Sequence, residues 1–245
     1  MVTTFDHLLL LGRPASGKSE FIDFMKKIPD ADRAKIFHIS KFEEVDDFVW
    51  IWEKFMEDDL WEKAGCPRLY SKNYMPGNPG MEPEGLRLLK FCMHKFNDVI
   101  KEKYLSRPEF YNDHTLFIEF ARGNQHTFKE ALGSLKPEIL NRAAILFIYV
   151  TREESWRRNV ARYQENLKHS ILAHMVPKET FDHFYTDHDW LSMTHNESNG
   201  YIMVNGLKIP FVTMNNEPES TDPSVLTKRY GDALEKLYEL HEKGV

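Results

Sequence analysis

Residues 12–19 carry the residue types and spacing of a phosphate-binding loop. The segment matches the pattern G-x-x-x-x-G-K-[ST] at every fixed position. In that pattern the glycines let the backbone curl so that its N–H groups point inward, and the helix that follows adds its positive end. The pattern predicts that Lys18 reaches the β- and γ-phosphates of a nucleotide and that the Ser19 hydroxyl ligates Mg²⁺. The predicted phosphate-contacting residues are Gly12, Arg13, Pro14, Ala15, Ser16, Gly17, Lys18, Ser19 and Glu20.

The sequence on either side of the loop distinguishes a functional motif from a chance match. An apolar run at residues 5–11 precedes the loop and is typical of a buried strand. Apolar residues at helical spacing follow it between Phe21 and Ile28. Because the motif requires a strand before it and a helix after it, we interpret it as a true nucleotide-binding loop.

Short apolar segments alternate with amphipathic ones along most of the chain. Alternation of this kind predicts an α/β fold with a mostly parallel sheet covered by helices. The clearest helical patterns are residues 45–60, residues 86–104, and a last helix with Asp222 as its N-cap and Pro223 in its first turn. The five predicted strands are residues 5–11, 35–39, 115–120, 143–150 and 209–214.

Two further segments carry turn signals. Asn205 and Gly206 lie between two apolar runs, which predicts a hairpin within residues 201–212 and an antiparallel pair near the end of the sheet. Residues 70–84 are rich in Pro and Gly, and this composition predicts a loop between two helices.

Length and composition exclude several classes of protein. A chain of 245 residues is long enough for one domain with insertions. The net charge of −6 argues against a general nucleic-acid binder, whose affinity comes from a basic surface. Cys66 and Cys92 have no metal-ligand spacing and are too few for a disulfide framework, so a reduced, cytoplasmic setting is expected. The longest apolar runs are too short to span a membrane, and we expect no membrane partner.

The loop and the order of the segments around it resemble the P-loop NTPase superfamily, in particular its branch of small-molecule kinases, which includes nucleoside and nucleotide kinases. Pro14, the third residue of the loop, recurs in many such kinases. The resemblance covers about a sixth of the chain. It implies a three-layer α/β/α sandwich with a mostly parallel five-stranded sheet, an acceptor bound across the sheet edge, and a mobile lid that bears arginines. It also implies ATP and Mg²⁺ as the donor and its metal.

Residues 116–123 are similar to the Walker B strand of that family and the turn after it. The resemblance implies that Glu119 holds or orients the Mg²⁺ shell and that Arg122 holds the acceptor. The usual residue in place of Glu119 is Asp, so contact with the metal and action as a base both remain open. A half-buried strand with a carboxylate at its edge is the alternative.

An arginine cluster follows the strand that ends near Val150 and is similar to a kinase lid. Arg158 and Arg162 are four residues apart and share a helix face, with Arg157 beside them. Guanidinium groups can stabilise the charge of a transferring phosphoryl group, which would make these arginines catalytic. A solvated helix with charge pairs such as Glu154 with Arg158 is the alternative.

The turn after the last predicted strand lies beside the adenine in the resembling family. Asn215 and Asn216 are the candidates to frame the base, although both residues also favour an ordinary turn. No Asn/Thr-Lys-x-Asp guanine signature is visible, which favours ATP over GTP.

The acceptor site is the least specified part of the sequence. Residues 39–47 contain four acids at a position where such kinases often place the base that accepts the hydroxyl proton, but acids in the first turn of a helix also favour the helix dipole. Trp50, Trp52 and Trp61 could stack on a planar substrate, or pack in the core as aromatics at helical spacing usually do. His183, His188 and His195 lie near aspartates, but their spacing matches no zinc site.

Together these features predict one domain over residues 1–245, with a helical acceptor-binding insertion at 43–110 and a lid-like helical region at 152–200. The predicted activity is transfer of the γ-phosphate of Mg·ATP to a small acceptor such as a nucleoside or nucleotide. A nucleotide-binding regulator or ATPase whose insertion contacts a protein partner is the alternative, and the net charge disfavours a kinase of nucleic-acid ends. The sequence does not determine the oligomeric state.

Overall fold

A computed structural model describes residues 4–75, 77–166 and 175–244. The strands are β1 (His7–Gly12), β2 (Lys41–Asp46), β3 (Ser71–Met75), β4 (Asn78–Met81), β5 (His114–Phe120), β6 (Ala143–Tyr149), β7 (Asn199–Val204) and β8 (Leu207–Asn215). The helices are α1 (Lys18–Lys26), α2 (Asp30–Phe37), α3 (Asp47–Lys63), α4 (Leu86–Ile100), α5 (Phe128–Ser134), α6 (Pro137–Leu140), α7 (Arg152–Asn166), α8 (Lys178–Phe184), α9 (Trp190–Met193) and α10 (Pro223–Gly244).

The central sheet has six strands in the order β2-β5-β1-β6-β8-β7. The first five are parallel to their neighbours, and β7 pairs antiparallel with β8. Parallel strands end at the same edge of a sheet, so the loop after β1 lies beside the ends of β5 and β6. The predicted α/β fold with a mostly parallel sheet is confirmed.

Helices cover both faces of this sheet, which gives the predicted three layers. Successive residues of β1 point to opposite faces, so Leu9 and Leu11 join one core while Leu8 and Leu10 join the other. The first core contains Phe96 of α4 together with residues of α5 and α9, and the second contains residues of α1, α2 and α10. Strands buried on both faces explain the continuous apolar runs in the sequence.

A third apolar cluster packs the region beyond the end of the sheet. It brings together residues of α3, α4 and α8 with Met81 of β4. Within it, the buried carboxylate of Asp58 accepts hydrogen bonds from the backbone N–H groups of Leu69, Tyr70 and Ser71 at 2.8–2.9 Å, and from the Ser71 hydroxyl at 2.8 Å. These bonds fix the start of the small β3-β4 hairpin against α3.

The prediction of a strand at residues 35–39 is wrong. Those residues continue helix α2 through Phe37, and His38 ends it in the left-handed conformation (φ 55°). The strand is β2 at Lys41–Asp46, an edge strand whose side chains are mostly exposed or half-buried. The pattern misled because an edge strand can carry charged residues. The apolar run consists of Ile36, which is exposed on α2, and of Phe37 and Ile39, which belong to the second core at and beyond the end of that helix.

Two neighbouring predictions also need correction. The prediction that residues 70–84 form a loop is wrong, since β3 and β4 pair there as an antiparallel hairpin. The predicted insertion at 43–110 begins inside β2, because residues 43–46 belong to the central sheet and helix α3 starts at Asp47, with Asp46 as its N-cap. Residues 167–174 of the predicted lid lie outside the described part of the chain.

The predicted hairpin at Asn205 and Gly206 is confirmed. Both residues have positive φ angles, 51° and 81°, as a tight two-residue turn between twisted strands requires. Asp222 accepts a hydrogen bond from Ser224 N at 2.8 Å in front of α10, which agrees with its predicted capping role. In the described ranges, no helix combines the length and apolar character needed to cross a membrane.

Candidate active site

The loop at residues 12–18 can exist only with glycine at its two fixed positions. Gly12 has φ 154° and Gly17 has φ 109°, which other residues rarely adopt. A Cβ atom at Gly12 would lie 2.5 Å from Ile148 O, and one at Gly17 would lie 2.3 Å from Asn216 Nδ2. The strands and the turn behind the loop therefore press directly on its backbone.

Hydrogen bonds from outside hold the loop's carbonyl groups. The Ser155 hydroxyl donates to Pro14 O at 2.6 Å, and Asn216 Nδ2 donates to Ser16 O at 2.9 Å. Arg13 turns its guanidinium away from the loop and donates to the carbonyl oxygens of Tyr185 and Thr186. Arg13 can therefore serve a bound phosphate through its backbone, not through its side chain.

Lys18 lies at the start of α1 and its side chain is almost fully buried. Its Nζ donates to Arg13 O at 3.1 Å and lies 3.8 Å from Glu119 Oε1. Ser19 and Glu20 follow on the same helix, and together with Lys18 they line a cavity beside the loop. The ammonium group is thus held between the loop and the end of β5, where its charge is available to an incoming phosphate.

Two carboxylates meet at the carboxyl ends of β2 and β5. Asp46 is directly opposite Glu119 in the parallel register of the two strands. Burial, followed by the charges of Glu119 and Asp47, raises the pKa of Asp46 to about 7. Burial also raises the pKa of Glu119, against the opposing influence of Lys18. Carboxylates whose pKa values are shifted by burial and by a neighbouring charge are found preferentially at functional sites.

Arg122 does not reach the cavity. Its side chain is fully buried, its Nη1 lies 2.7 Å from Asp47 Oδ2, and its Nε donates to His126 Nδ1 at 3.0 Å. Burial raises the pKa of Asp47, and the charge of Arg122 opposes this shift. We expected Arg122 to hold the acceptor, but the structure places it behind Asp47, so it can act on an acceptor only through that carboxylate.

The three predicted lid arginines lie in different surroundings along α7. Arg162 lines the cavity. Arg158 is buried, donates to Glu154 Oε1 and Asn216 O at 2.7 Å each, and has one nitrogen within 4 Å of a Cβ built at Gly17. Arg157 is half-exposed and pairs with Glu154 and Glu219 on the surface. The structure therefore brings Arg158 to the phosphate loop, places Arg162 on the wall of the cavity and leaves Arg157 outside both.

The two asparagines after β8 also differ. Asn216 is buried, holds the loop through Ser16 O, and accepts from Arg229 Nη1 at 2.7 Å. Asn215 accepts from Glu217 N at 3.1 Å and so stabilises the turn itself. The turn lies beside the phosphate loop, and in this structure Asn216 is the residue that joins the two.

A cavity of about 350 Å³ extends from the phosphate loop to the third apolar cluster. One end holds Lys18, Ser19, Asp46 and Glu119, and the other is walled by side chains of α3, β4 and residues 175–185. The residues that line the apolar end are Phe48, Ile51, Trp52, Phe55, Pro79, Gly80, Met81, Met175, Val176, Pro177, Thr180 and Tyr185.

The three tryptophans of α3 have three different roles. Trp52 lines the cavity. Trp50 packs against the ring of Phe96 at a centroid distance of 4.9 Å. Trp61 is half-exposed on the outer surface of the helix. Helical spacing alone could not distinguish them, because the fold decides which way each residue points.

Ser19 and Glu119 are suited to a magnesium ion. Both line the cavity next to Lys18, and the raised pKa of Glu119 indicates a carboxylate that a nearby cation would stabilise. Magnesium in phosphate sites uses one or two carboxylates and completes its shell with water and phosphate oxygens. Within the described ranges, no three His, Cys, Asp or Glu side chains converge on a metal position, and this includes the histidines near residues 183–195.

The sequence of residues 39–47 contains four acids and does not distinguish among them. The structure selects Asp46 and Asp47 because β2 ends there, one strand away from Glu119. The apolar walls from β4 and α8 were missed, since residues 70–84 were expected to be a loop and nothing in residues 175–185 indicated a cavity. A prediction of β2 at Lys41–Asp46 would have placed Asp46 and Asp47 at the end of the sheet, close to Glu119.

The chain has weak likenesses to solved kinases, while no protein-family model and no curated protein matches it. A sugar kinase from Janibacter sp. HTCC2649 is 12% identical, with a TM-score of 0.40 over 96% of this chain and 95% of that one. A gluconokinase from Sinorhizobium meliloti 1021 is 11% identical, with a TM-score of 0.45 over 98% and 96%. A putative kinase from Chloroflexus aurantiacus J-10-fl is 10% identical, with a TM-score of 0.42 over 95% and 99%.

The raised pKa of Asp46 predicts a pH-dependent stability. Between its ordinary value of 3.8 and about 7, the folded protein keeps a proton on Asp46 that the unfolded chain releases. The stability due to this group is therefore full below pH 3.8 and is lost as the pH rises to about 7. In urea titrations without nucleotide, we expect Asp46→Asn to gain stability relative to the wild type across this range. Asparagine keeps the N-cap of α3.

Asp222→Asn is the matched control, since Asp222 caps α10. Hydrogen bonds from the Ser224 hydroxyl and backbone lower the pKa of Asp222. Its contribution is present above its ordinary pKa and is lost as the pH falls, which is the opposite sign. A stability difference for Asp46→Asn that does not change between pH 4 and 7 would contradict the raised pKa.

Proposed function

We propose that this protein is a Mg²⁺- and ATP-dependent phosphotransferase that moves the γ-phosphoryl group of ATP to a hydroxyl of a small acceptor. The observation that carries the proposal is one cavity in which the phosphate loop and Lys18 lie at one end, beside a pair of carboxylates, while a mostly apolar chamber extends beyond them. A donor site that continues into a second chamber is what transfer to a small molecule requires, because positioning supplies most of the rate enhancement.

Lys18 and the backbone N–H groups of the loop would bind the donor phosphates. Lys18 now donates to Arg13 O, and a phosphate oxygen would replace that weaker partner. Ser19 and Glu119 would hold Mg²⁺, which when bound neutralises charge on the phosphates. The turn after β8, with Asn215 and Asn216, is adjacent to the loop and suits the nucleotide base, and by resemblance that base is adenine.

Asp46 is the base that we assign to the acceptor. Its carboxylate lines the cavity one strand away from Glu119, at the boundary between the phosphate end and the apolar chamber. A base works best when its pKa is near the working pH, and that of Asp46 is about 7. The neighbouring Asp47 is engaged in a buried ion pair with Arg122, so its carboxylate is less available to an acceptor hydroxyl.

Lys18→Ala tests the donor site. We expect kcat/KM for ATP to fall by about 10²–10³-fold, because a donor aimed at the developing charge is lost. Formation of ADP in the presence of Mg·ATP and a panel of acceptors is the measurement. Lys26→Ala is the control, since Lys26 is exposed at the other end of α1 and pairs with Glu44. Turnover that survives the loss of Lys18 would rule out the proposal.

Asp46→Asn tests the assigned base. We expect kcat to fall by about 10²–10⁴-fold while ATP still binds, because asparagine cannot accept the proton. For the wild type, kcat/KM for the acceptor should decrease as the pH falls below about 7, where Asp46 becomes protonated. Glu44→Gln, on the same strand but paired with Lys26, serves as the control. Activity within a few-fold of the wild type would assign the proton transfer to another group.

The arginines of α7 are distinguished by where they lie. We propose that Arg162 stabilises the transferring phosphoryl group, since it lines the cavity. Arg162→Ala should lower kcat by about 10²-fold or more, as expected for removal of one charge-stabilising donor. Arg157→Ala should change kcat by less than about threefold, because an exposed ion pair contributes little. Single-turnover rates at saturating ATP measure both, and equal losses would contradict the assignment.

A nucleotide-dependent regulator remains the second candidate, and one observation favours it. Val49, Leu60 and Trp61 expose apolar surface on α3, the first helix of the predicted insertion. ATP hydrolysis that rises only on addition of a protein partner, with no transfer to any small acceptor, would support this candidate over the kinase.

A further inference from the structure

Helix α7 carries three polar side chains on one face. Ser155, Asn159 and Arg162 are separated by four and three residues, which is the spacing of neighbours on a helix surface. Ser155 and Asn159 have no exposed surface, and Arg162 lines the cavity. Buried polar side chains are almost always hydrogen-bonded to the elements packed against them. The two buried ones on α7 bind two different parts of the site.

The first of these parts is the phosphate loop. The Ser155 hydroxyl donates to Pro14 O at 2.6 Å. From the same helix, Arg158 donates to Asn216 O, and Asn216 Nδ2 in turn donates to Ser16 O. The first turns of α7 are therefore fixed to the loop that would bind the donor phosphates.

The second part is the backbone of Val176. Asn159 Nδ2 donates to Val176 O at 2.8 Å, and Val176 N donates to Asn159 Oδ1 at 3.1 Å. The side-chain amide thus satisfies both backbone groups of one residue, because it offers a donor and an acceptor side by side. Two such bonds fix the orientation of the Val176 backbone as well as its distance from the helix.

Val176 belongs to the apolar end of the cavity. Met175, Val176 and Pro177 line the cavity together with residues of β4. Met175 N donates to the buried Asn78 Oδ1 at 2.9 Å, and a Cβ atom at Gly80 would lie 2.7 Å from Pro177 Cγ. Residues 175–177 and β4 are therefore fixed to each other, and together they form what we call the acceptor wall.

We propose that Asn159 is a positioning residue that sets the acceptor wall relative to the phosphate loop. It acts through the Val176 backbone and not by contact with either substrate. Ser155 and Asn159 lie one helical turn apart, so about 6 Å of continuous helix connects the bond to the loop with the bonds to the wall. The inference rests on the proposed function, and it adds that a nucleotide on the loop also steadies the acceptor wall.

Hydrogen exchange followed by mass spectrometry tests this link without an acceptor. The full-length protein is compared with and without Mg·AMP-PNP, a non-hydrolysable analogue of ATP. In the wild type we expect the analogue to slow exchange within residues 12–19, and to slow the amides of Met175 and Val176 by about tenfold, an ordinary size for coupling between two sites. In Asn159→Ala the slowing within residues 12–19 should remain, while that at Met175 should fall below about twofold.

Ser155→Ala is the second variant, and it breaks the link at the loop. Both bonds between Asn159 and Val176 remain in this variant, so a change at Val176 cannot come from a lost local hydrogen bond. The effect of the analogue on Val176 should decrease. If Asn159→Ala does not fold, an undiminished effect in Ser155→Ala overturns the inference by itself.

Asn97→Ala is the matched control. Asn97 is a buried asparagine on α4 whose amide also binds two backbone groups, Ser134 O at 2.8 Å and Lys136 N at 2.9 Å. Its substitution removes the same number and kind of hydrogen bonds, so it should lower stability in urea about as much as Asn159→Ala. The effect of the analogue on Met175 should not change, and an equal loss in both variants would overturn the inference.

Kinetics separate positioning from binding. With the acceptor that is phosphorylated fastest in the panel described above, Asn159→Ala should lower kcat by about 10²-fold, the cost of misplacing a reactant by about 1 Å, while KM for ATP stays within about twofold. Asn97→Ala should change neither constant. A kcat for Asn159→Ala that equals that of Asn97→Ala would contradict a positioning role.

The two levels of failure are distinguishable. If Mg·AMP-PNP slows exchange within residues 12–19 but its effect on Met175 is the same in the wild type and in Asn159→Ala, the inference is overturned and the proposed function stands. If the analogue does not slow exchange within residues 12–19 of the wild type, the proposed function and the inference both fall.

Discussion

The close packing around the backbone of residues 12–18 is the constraint on which the rest of the site depends. Carbonyl groups of the loop are bonded from outside, by Ser155 to Pro14 and by Asn216 to Ser16, and two glycines lie where any side chain would collide with its surroundings. A backbone whose carbonyls are held outward leaves its N–H groups for a ligand. The groups that hold the loop come from α7 and from the turn after β8, so the donor site is assembled from elements far apart in the sequence.

The second feature that determines the geometry of the site is the parallel register of β2 and β5. It places Asp46 opposite Glu119, and both carboxylates then share the field of Lys18. Burial and mutual repulsion oppose the ionisation of both carboxylates, and the fold tolerates this cost because the sheet fixes the strands through their backbone bonds. Functional sites commonly contain carboxylates whose ionisation is unfavourable in this way, because a bound ligand can later stabilise the charge.

Much of this could be predicted from the sequence, for physical reasons that differ from element to element. The phosphate loop and the strands buried on both faces have local signatures, namely glycine spacing and continuous apolar runs, and both are found where expected. The edge strand β2 has no such run, and its misplacement hid the pairing of Asp46 with Glu119. Arg122 is buried in an ion pair with Asp47, and Arg157 pairs on the surface away from Arg162. Both outcomes depend on side-chain directions that only the packed tertiary structure fixes.

The polar character of β2 has a consequence for how copies of this protein meet. An exposed edge strand offers unpaired N–H and C=O groups, and a flat apolar edge would invite a second sheet to extend it. Lys41, Glu43 and Glu44 are charged side chains along β2, and they would have to be dehydrated or brought against their own counterparts in an edge-to-edge pairing. The residues that conceal this strand from pattern recognition therefore also protect the sheet from growing into an aggregate.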